Sequence, residues 1–414
     1  VTSTLDLTAP RIPDLSDPHT FLDGVPHAAF AAIQQMPGLY WQPTTVATIH
    51  GGFWAVTRFA DVSAIEKQPE LFSSARGAAY PLTQRDPIEH SQASIIQTDP
   101  PTHTRLRQAT SKGFAPKVVA NFAPWIREIV REAVADVADQ DEFDFVAAFG
   151  RRVPAGVIAR IVGVPPEGER LIVQMTLALF AATQDTDGLA EGEGTQSKII
   201  GPRQAIADYA AELQEIKRIQ PADDMATALT GCVDRGEISQ REFLSWMNIM
   251  IGAGFETTHS TISQSMRMYL EDPEIRDATD RAIAEGRGGR ASDEFIRLVS
   301  APMQMSRTAT RDVDMLGEHI REGDVLVLYF IAANRDPAVF SEPDRFNPWR
   351  SELTTLAFGS GVHRCIGSHL AKLEVQILWE ELAAAGIRLR LNGEPRRGLS
   401  NFINQLDELP VARL

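Results

Sequence analysis

Over residues 239–270 apolar side chains recur at three- and four-residue spacing without a break, the pattern of one continuous amphipathic helix. Such a helix is on the order of 45 Å long at 1.5 Å per residue, so it crosses a whole domain and the rest of the chain must fold around it. Ser239 followed by Glu242 has the spacing of a capping box, and Pro273 bounds the far end. Gly252 and Gly254 interrupt the middle. Each costs about 1 kcal/mol relative to alanine, so something should offset them, and close approach of a flat ligand would do so. Glu256 and Thr257 follow at an expected kink; alone, they read equally as an exposed acid and a threonine bonded back to the preceding turn.

Similar periodicity predicts helices over 119–137, 203–219 and 366–382, whereas strands are few and short: GFWAVTR near 54, DVLVLYF near 327 and GIRLRL near 388. The expected class is mainly α, a helix-rich α+β fold with small β-sheets. No Gly/Ser linker, low-complexity tract or repeat divides the 414 residues, so one domain over 1–414 is expected, with 1–50 as its N-terminal extension. A net charge of −15 without a Lys/Arg block argues against nucleic-acid binding. The longest nearly apolar stretch, 243–255, falls short of the roughly 20 residues a membrane span takes, so no membrane anchor is expected. VTSTLDLTAPRIPDLSDP carries acids and prolines where an export signal has basic residues and an apolar run. Cys232 and Cys365 lie too far apart to suggest a disulfide framework, which points to a reducing, cytoplasmic setting with Cys232 structural.

Cys365 stands where a glycine-rich loop, LAFGSGVHRC, meets a helix. Gly359 and Gly361 permit positive φ, and the amides of a helix start favour the thiolate. Three readings remain open on local grounds: a small buried hydrophobe, a nucleophile partnered by His363 or His369, or a metal ligand. Zinc is disfavoured, because only His363, Cys365 and His369 cluster where a structural site takes four ligands.

Phe358, Gly361, His363, Cys365 and Gly367 stand in the F-x-x-G-x-H-x-C-x-G spacing, and the chain resembles the cytochrome P450 family in this loop. Ala253, Gly254, Phe255, Glu256 and Thr257 are similar to that family's A-G-x-(D/E)-T motif, and Glu294 with Arg297 to its E-x-x-R motif, with Arg350 of FNPWR in the position of the third member. ANRDPAVFSEPDRF, 333–346, resembles the segment before that arginine. The likeness runs from about Phe53 to the end, resembling soluble bacterial members that hydroxylate terpenoids or steroids.

The resemblance implies a trigonal single-domain fold and a haem b whose axial iron ligand is the Cys365 thiolate. It implies that Glu256 and Thr257, both on the distal side, organise water and deliver protons during O₂ activation. Ala253 and Gly254 would border the haem. Asp99 can cap a helix that places His103 and Arg107 at i,i+4, and these, with Arg307 and His363, are implied partners of the haem propionates. Glu294, Arg297 and Arg350 would form a structural triad that helps hold the cysteine loop.

The implied activity is monooxygenation of a C–H bond in a small hydrophobic substrate, a monoterpenoid or alkyl-aromatic first. A steroid or branched lipid is the alternative; a peroxide-driven or non-oxygenase enzyme fits less well, since such enzymes commonly lack the acid–threonine pair. Lacking the four cysteines of an iron–sulfur cluster, the chain should take electrons from NAD(P)H through a separate ferredoxin and ferredoxin reductase, docking near Lys112, Arg364 and Lys372. A monomer is expected. By family position, 80–96, 171–200, Ile251, Gly252, Met303 to Met305 and Phe402 should line the pocket. Two departures bear on its shape: AEGRGGRASDEF lacks the usual proline, and DTDGLAEGEGTQS suggests a long mobile loop.

Overall fold

The long helix spans Gln240–Glu271 and runs without interruption through Gly252 and Gly254. Its capping box is formed: the Glu242 amide donates to Ser239 Oγ at 3.3 Å and the Ser239 amide to Glu242 Oε2 at 2.7 Å, an arrangement worth about 1 kcal/mol. Asp272 ends it and caps the next helix, accepting from the Glu274 amide at 2.8 Å.

The computed structural model describes residues 12–46, 48–81, 93–165, 168, 170, 171, 174, 175, 194–352 and 354–414. Its α-helices are α1 (His27–Gln34), α2 (Phe59–Glu66), α3 (Thr102–Thr110), α4 (Pro116–Ala120), α5 (Ala123–Asp136), α6 (Arg152–Val162) and α7 (Gly194–Ile219). They continue as α8 (Met225–Asp234), α9 (Gln240–Glu271), α10 (Pro273–Ala284), α11 (Gly288–Val299), α12 (Phe330–Ala333) and α13 (Ser368–Ala384). The strands are β1 (Tyr40–Pro43), β2 (Gly52–Val56), β3 (Phe72–Ser73), β4 (Glu142–Asp144), β5 (Met305–Ala309) and β6 (Val313–Met315). After them come β7 (Glu318–Ile320), β8 (Val325–Leu328), β9 (Leu389–Leu391), β10 (Arg396–Arg397), β11 (Leu406–Glu408) and β12 (Pro410–Arg413). The protein is therefore helix-rich with small sheets, as its periodicity implies.

Two helices differ from expectation. The segment 119–137 divides into α4 and α5 because Pro124, in the first turn of α5, has no amide to donate and its ring excludes a continuing turn. The helix over 203–219 begins earlier, at Gly194, so four residues of the expected mobile loop are helical and the rest, 185–193, lie outside the described residues.

The principal sheet has the order β1-β2-β8-β5-β3. In it β2 and β8 are parallel, from Phe53 opposite Val325 to Val56 opposite Leu328, and their neighbours antiparallel. All four residues of β8 are buried, as suits a strand covered on both faces. A three-stranded sheet, β4-β12-β9, contains the predicted strand near 388. The largest apolar core draws on residues from Leu106 to Val411, and in it Phe243, Met247 and Ile262 of α9 are fully buried. Among the described residues no helix is long and apolar enough to cross a membrane.

α9 packs against α6 at Gly254, where a Cβ would lie 2.3 Å from Ile158 Cδ1. The missing side chain is thus offset first by a neighbouring helix, with no break in α9. The same turn borders the cavity described next.

Candidate active site

The loop before α13 is closed by its own backbone: the Cys365 amide donates to the Phe358 carbonyl at 2.8 Å and the Gly359 amide to the Leu356 carbonyl at 2.9 Å. Gly359 and Gly361 both hold φ of +63°. At Gly361 a Cβ would also lie 2.2 Å from the backbone oxygen of Glu66. Gly361→Ala is therefore expected to cost at least about 2 kcal/mol, from left-handed strain and a backbone clash together. Thermal unfolding would show it, and an unchanged midpoint would refute it.

The Cys365 thiol faces a cavity of about 250 Å³. Burial pushes its pKa up, against the pull of the Gly367 amide and of Arg107 and Arg364. The Gly367 amide at the helix start acts in the expected direction, and a metal ion bound beside the sulfur would favour the thiolate further.

His103, Arg107, Arg307 and His363 all reach the cavity wall. The His103 and His363 rings lie 4.3 Å apart. Burial holds His103 down at about 4 and His363 at about 2, with the nearby arginines adding to both. His363 Nε2 is buried with no hydrogen-bond partner. An orphaned imidazole nitrogen beside two arginines suits an incoming carboxylate, which would supply the partner and favour the protonated ring. With the thiol and an otherwise largely apolar wall, the residues present fit haem and its propionates. Asp99 does not cap α3: that helix starts at Thr102 behind Pro101, and the Asp99 carboxylate instead accepts from the Ser73 hydroxyl and, at 2.9 Å, the Ser74 amide.

Ala253, Gly254 and Thr257 line the cavity, and the Thr257 hydroxyl donates to the Ala253 carbonyl at 2.7 Å. Glu256 does not join them. It is buried on another face of α9, with Oε1 3.5 Å from His259 Nδ1. Helical periodicity also corrects the predicted pocket. The cavity face of α9 repeats through Trp246, Met250, Ala253, Thr257 and Thr261 at three- and four-residue steps, which turns Ile251 and Gly252 away. Met305 is on the wall, with Ala301 and Pro302. Met303 instead packs in the sheet core, its amide donating to the Phe402 carbonyl at 2.8 Å, and neither it nor Phe402 reaches the cavity. Of the other predicted lining, Ile95 and Ile96 face the cavity, while 82–92 and 176–193 lie outside the described residues.

Phe358 and Gly367 also border the cavity, whereas Gly361 acts through loop shape. Behind the loop, Glu294 Oε1 accepts from Arg297 Nη2 and Arg350 Nε, each at 2.8 Å, and from the Asn347 amide at 3.0 Å. Arg297 Nη1 donates to the Asn334 carbonyl at 2.7 Å, and the Asn334 side chain accepts from the Leu356 amide at 2.7 Å. The three motif residues thus meet in the interior and reach the cysteine loop through Asn334, a residue the motif does not include.

Two buried acids on the cavity wall escape sequence reasoning, Glu66 and Glu374. Burial drives the Glu374 pKa well above the usual range, and its Oε2 has no partner. The available signal was position: Glu66 follows Val62, and Glu374 follows Leu370, by four residues on a buried helix face.

A family model for cytochrome P450 matches residues 202–382, and the protein named putative cytochrome P450 126 of Mycobacterium tuberculosis is 30% identical over 378 residues, covering 89% of this chain and 89% of its own. Linalool 8-monooxygenase of Pseudomonas putida is 29% identical over 408 residues, covering 96% of this chain and 98% of its own. A steroid C26-monooxygenase of Mycobacterium tuberculosis is 29% identical over 416 residues, covering 97% and 94%. The crystal structure of CYP108D1 from Novosphingobium aromaticivorans superposes with a TM-score of 0.83 at 29% identity, covering 98% of this chain and 99% of that one.

Proposed function

As the chain belongs to the cytochrome P450 family and is a P450 monooxygenase, we propose that it holds haem b through Cys365 and hydroxylates a small apolar molecule, a monoterpenoid or alkyl-aromatic. The observation that carries this reading is one cavity bordered at once by the Cys365 thiol, the Thr257 segment of α9 and the basic set His103, Arg107, Arg307 and His363. Haem, when bound, supplies the redox chemistry that activates O₂ and inserts one oxygen atom into a C–H bond.

The protein's own residues divide the remaining work. Arg107, Arg307 and His363 would neutralise the propionates, and Arg107 with the Gly367 amide favours the thiolate of Cys365. Ile95, Ile96, Ile158, Met250 and Met305 exclude water and select apolar substrates. The Thr257 hydroxyl stands ready to hold a proton at Oγ on the cavity side. Glu256, buried beside His259 and away from the cavity, would exchange protons with the threonine only through intervening water. Linalool 8-monooxygenase among the relatives supports the terpenoid reading.

Electrons would come from NAD(P)H through a ferredoxin and its reductase, with the whole chain acting as one monomeric domain. Lys112 and Arg364 are exposed and suit an acidic partner; Lys372, half-buried, pairs with Asp293 at 2.8 Å, a surface pair an acidic partner would compete with. Titrating the holoprotein with terpene alcohols, alkylbenzenes and steroids, and then assaying turnover with and without ferredoxin, tests the reading. A low-to-high-spin shift with terpenoids and ferredoxin-dependent product support it; a response to steroids alone would replace the substrate class.

Thr257→Ala is expected to leave haem and substrate binding intact while product per NAD(P)H consumed falls about tenfold or more, with peroxide taking up the difference. Unchanged coupling would move proton delivery to another group.

A further inference from the structure

We propose that Glu66 is a positioning residue of the cofactor site: one side chain, at the end of α2, that holds both the cysteine-bearing loop and Arg307 and so fixes the thiol and the anion cradle relative to each other. The inference rests on the haem reading above and adds to it a residue outside the recognised motifs.

The contacts are specific. Glu66 is 4% exposed. Its Oε2 accepts from the Ser360 amide at 2.6 Å and from the Ser360 hydroxyl at 2.8 Å. Its Oε1 lies 3.5 Å from Arg307 Nη2. The loop fits against α2 only because its flanking residues are glycines: a Cβ at Gly359 would lie 3.0 Å from Glu66 Oε1, and one at Gly361 would meet the Glu66 backbone. Glu66 and Arg307 both face the cavity, and Arg307 Nη1 is already engaged by the Ser306 carbonyl at 2.8 Å.

The same geometry bears on charge. A closed charge-assisted pair lies at about 2.7–2.9 Å, so at 3.5 Å Glu66 and Arg307 are neighbours without a tight pairing. Burial raises the Glu66 pKa, opposed by Arg307 and the two Ser360 bonds. Both Ser360 donors fall on Oε2, which leaves Oε1 to face Arg307. The raised pKa favours the neutral acid, which leaves the Arg307 charge available to a propionate, whereas the ionised acid would compete for it and repel the newcomer.

The test compares wild-type, Glu66→Gln, Glu66→Ala and Ser360→Ala holoproteins. It measures the rate of haem transfer to excess apomyoglobin and the midpoint reduction potential, with thermal unfolding as a control for folding. Glu66→Gln, a neutral isostere, should keep both quantities. Glu66→Ala should speed haem loss by about tenfold, the effect of losing a buried hydrogen bond or two, and Ser360→Ala should do so to a smaller degree. Haem loss from Glu66→Ala as slow as wild type would overturn the proposal. So would a Glu66→Gln protein that loses haem as fast as Glu66→Ala, or whose potential rises, since that rise reports removal of a negative charge. If Glu66→Ala fails to fold, the other two variants decide: faster haem loss in Ser360→Ala with Glu66→Gln silent supports the role, and no change in Ser360→Ala refutes it. A wild-type protein without a Soret band would instead remove the haem reading itself.

Discussion

Cys365→Ala is expected to reduce oxygenase turnover to background and to erase the strongly red-shifted Soret band of the reduced, carbon monoxide-bound protein. The variant should still fold. The loop is closed by the amide of residue 365 and the Phe358 carbonyl, which alanine retains, and by glycines at positive φ, which it does not touch. Loss of activity can therefore be separated from loss of structure by measuring the unfolding midpoint alongside the spectrum. No second thiol can substitute, since Cys232 is buried in α8 against Arg235, away from the cavity. Ordinary turnover in the variant would remove the thiolate assignment.

Glu294→Ala is expected to destabilise the protein by about 3–5 kcal/mol, the usual effect of removing one partner from a buried ion pair. Arg297 and Arg350 are 2% and 6% exposed, and without Glu294 both would be left charged in the interior. Their remaining hydrogen bonds to backbone carbonyls cannot replace a counter-ion. Glu294→Gln, which keeps shape but not charge, should fall between alanine and wild type. Denaturant unfolding measures all three, and a midpoint unmoved in the alanine variant would show the triad to be dispensable. Because Asn334 carries the network to Leu356, lowered haem occupancy should accompany the lost stability.

The parts of the fold that could be read from residue order are those in which one local rule decides. Ser239 and Glu242 are three residues apart and form their capping box whatever surrounds them. Cys365, Gly361 and Phe358 lie within one loop, so their spacing carries the geometry. What failed to show needed an orientation or a distant partner. Ile251 and Met250 are adjacent in sequence, yet a turn of about 100° per residue puts only Met250 at the cavity. Asp99 has the right chemistry for a cap, but Ser73 and Ser74, at the end of β3, claim it instead. Pro124 did signal the break between α4 and α5, and the hydrophobic period simply ran across it. Glu66 looks like any charge at a helix end until Ser360 and Arg307 converge on it.

The parallel pairing of β2 with β8 has a consequence for how the chain reaches this state. Phe53 to Val56 can find their partners, Val325 to Leu328, only after most of the polypeptide has been made. During synthesis β1 and β2 wait as a two-stranded hairpin, which is marginal in water by itself, with one apolar edge open to other chains. Pairings of such long sequence separation close slowly, because loop entropy is lost before contacts repay it. Assembly of the sheet therefore has to wait for β8, and the edge of β2 is a site where shielding of the nascent chain would matter.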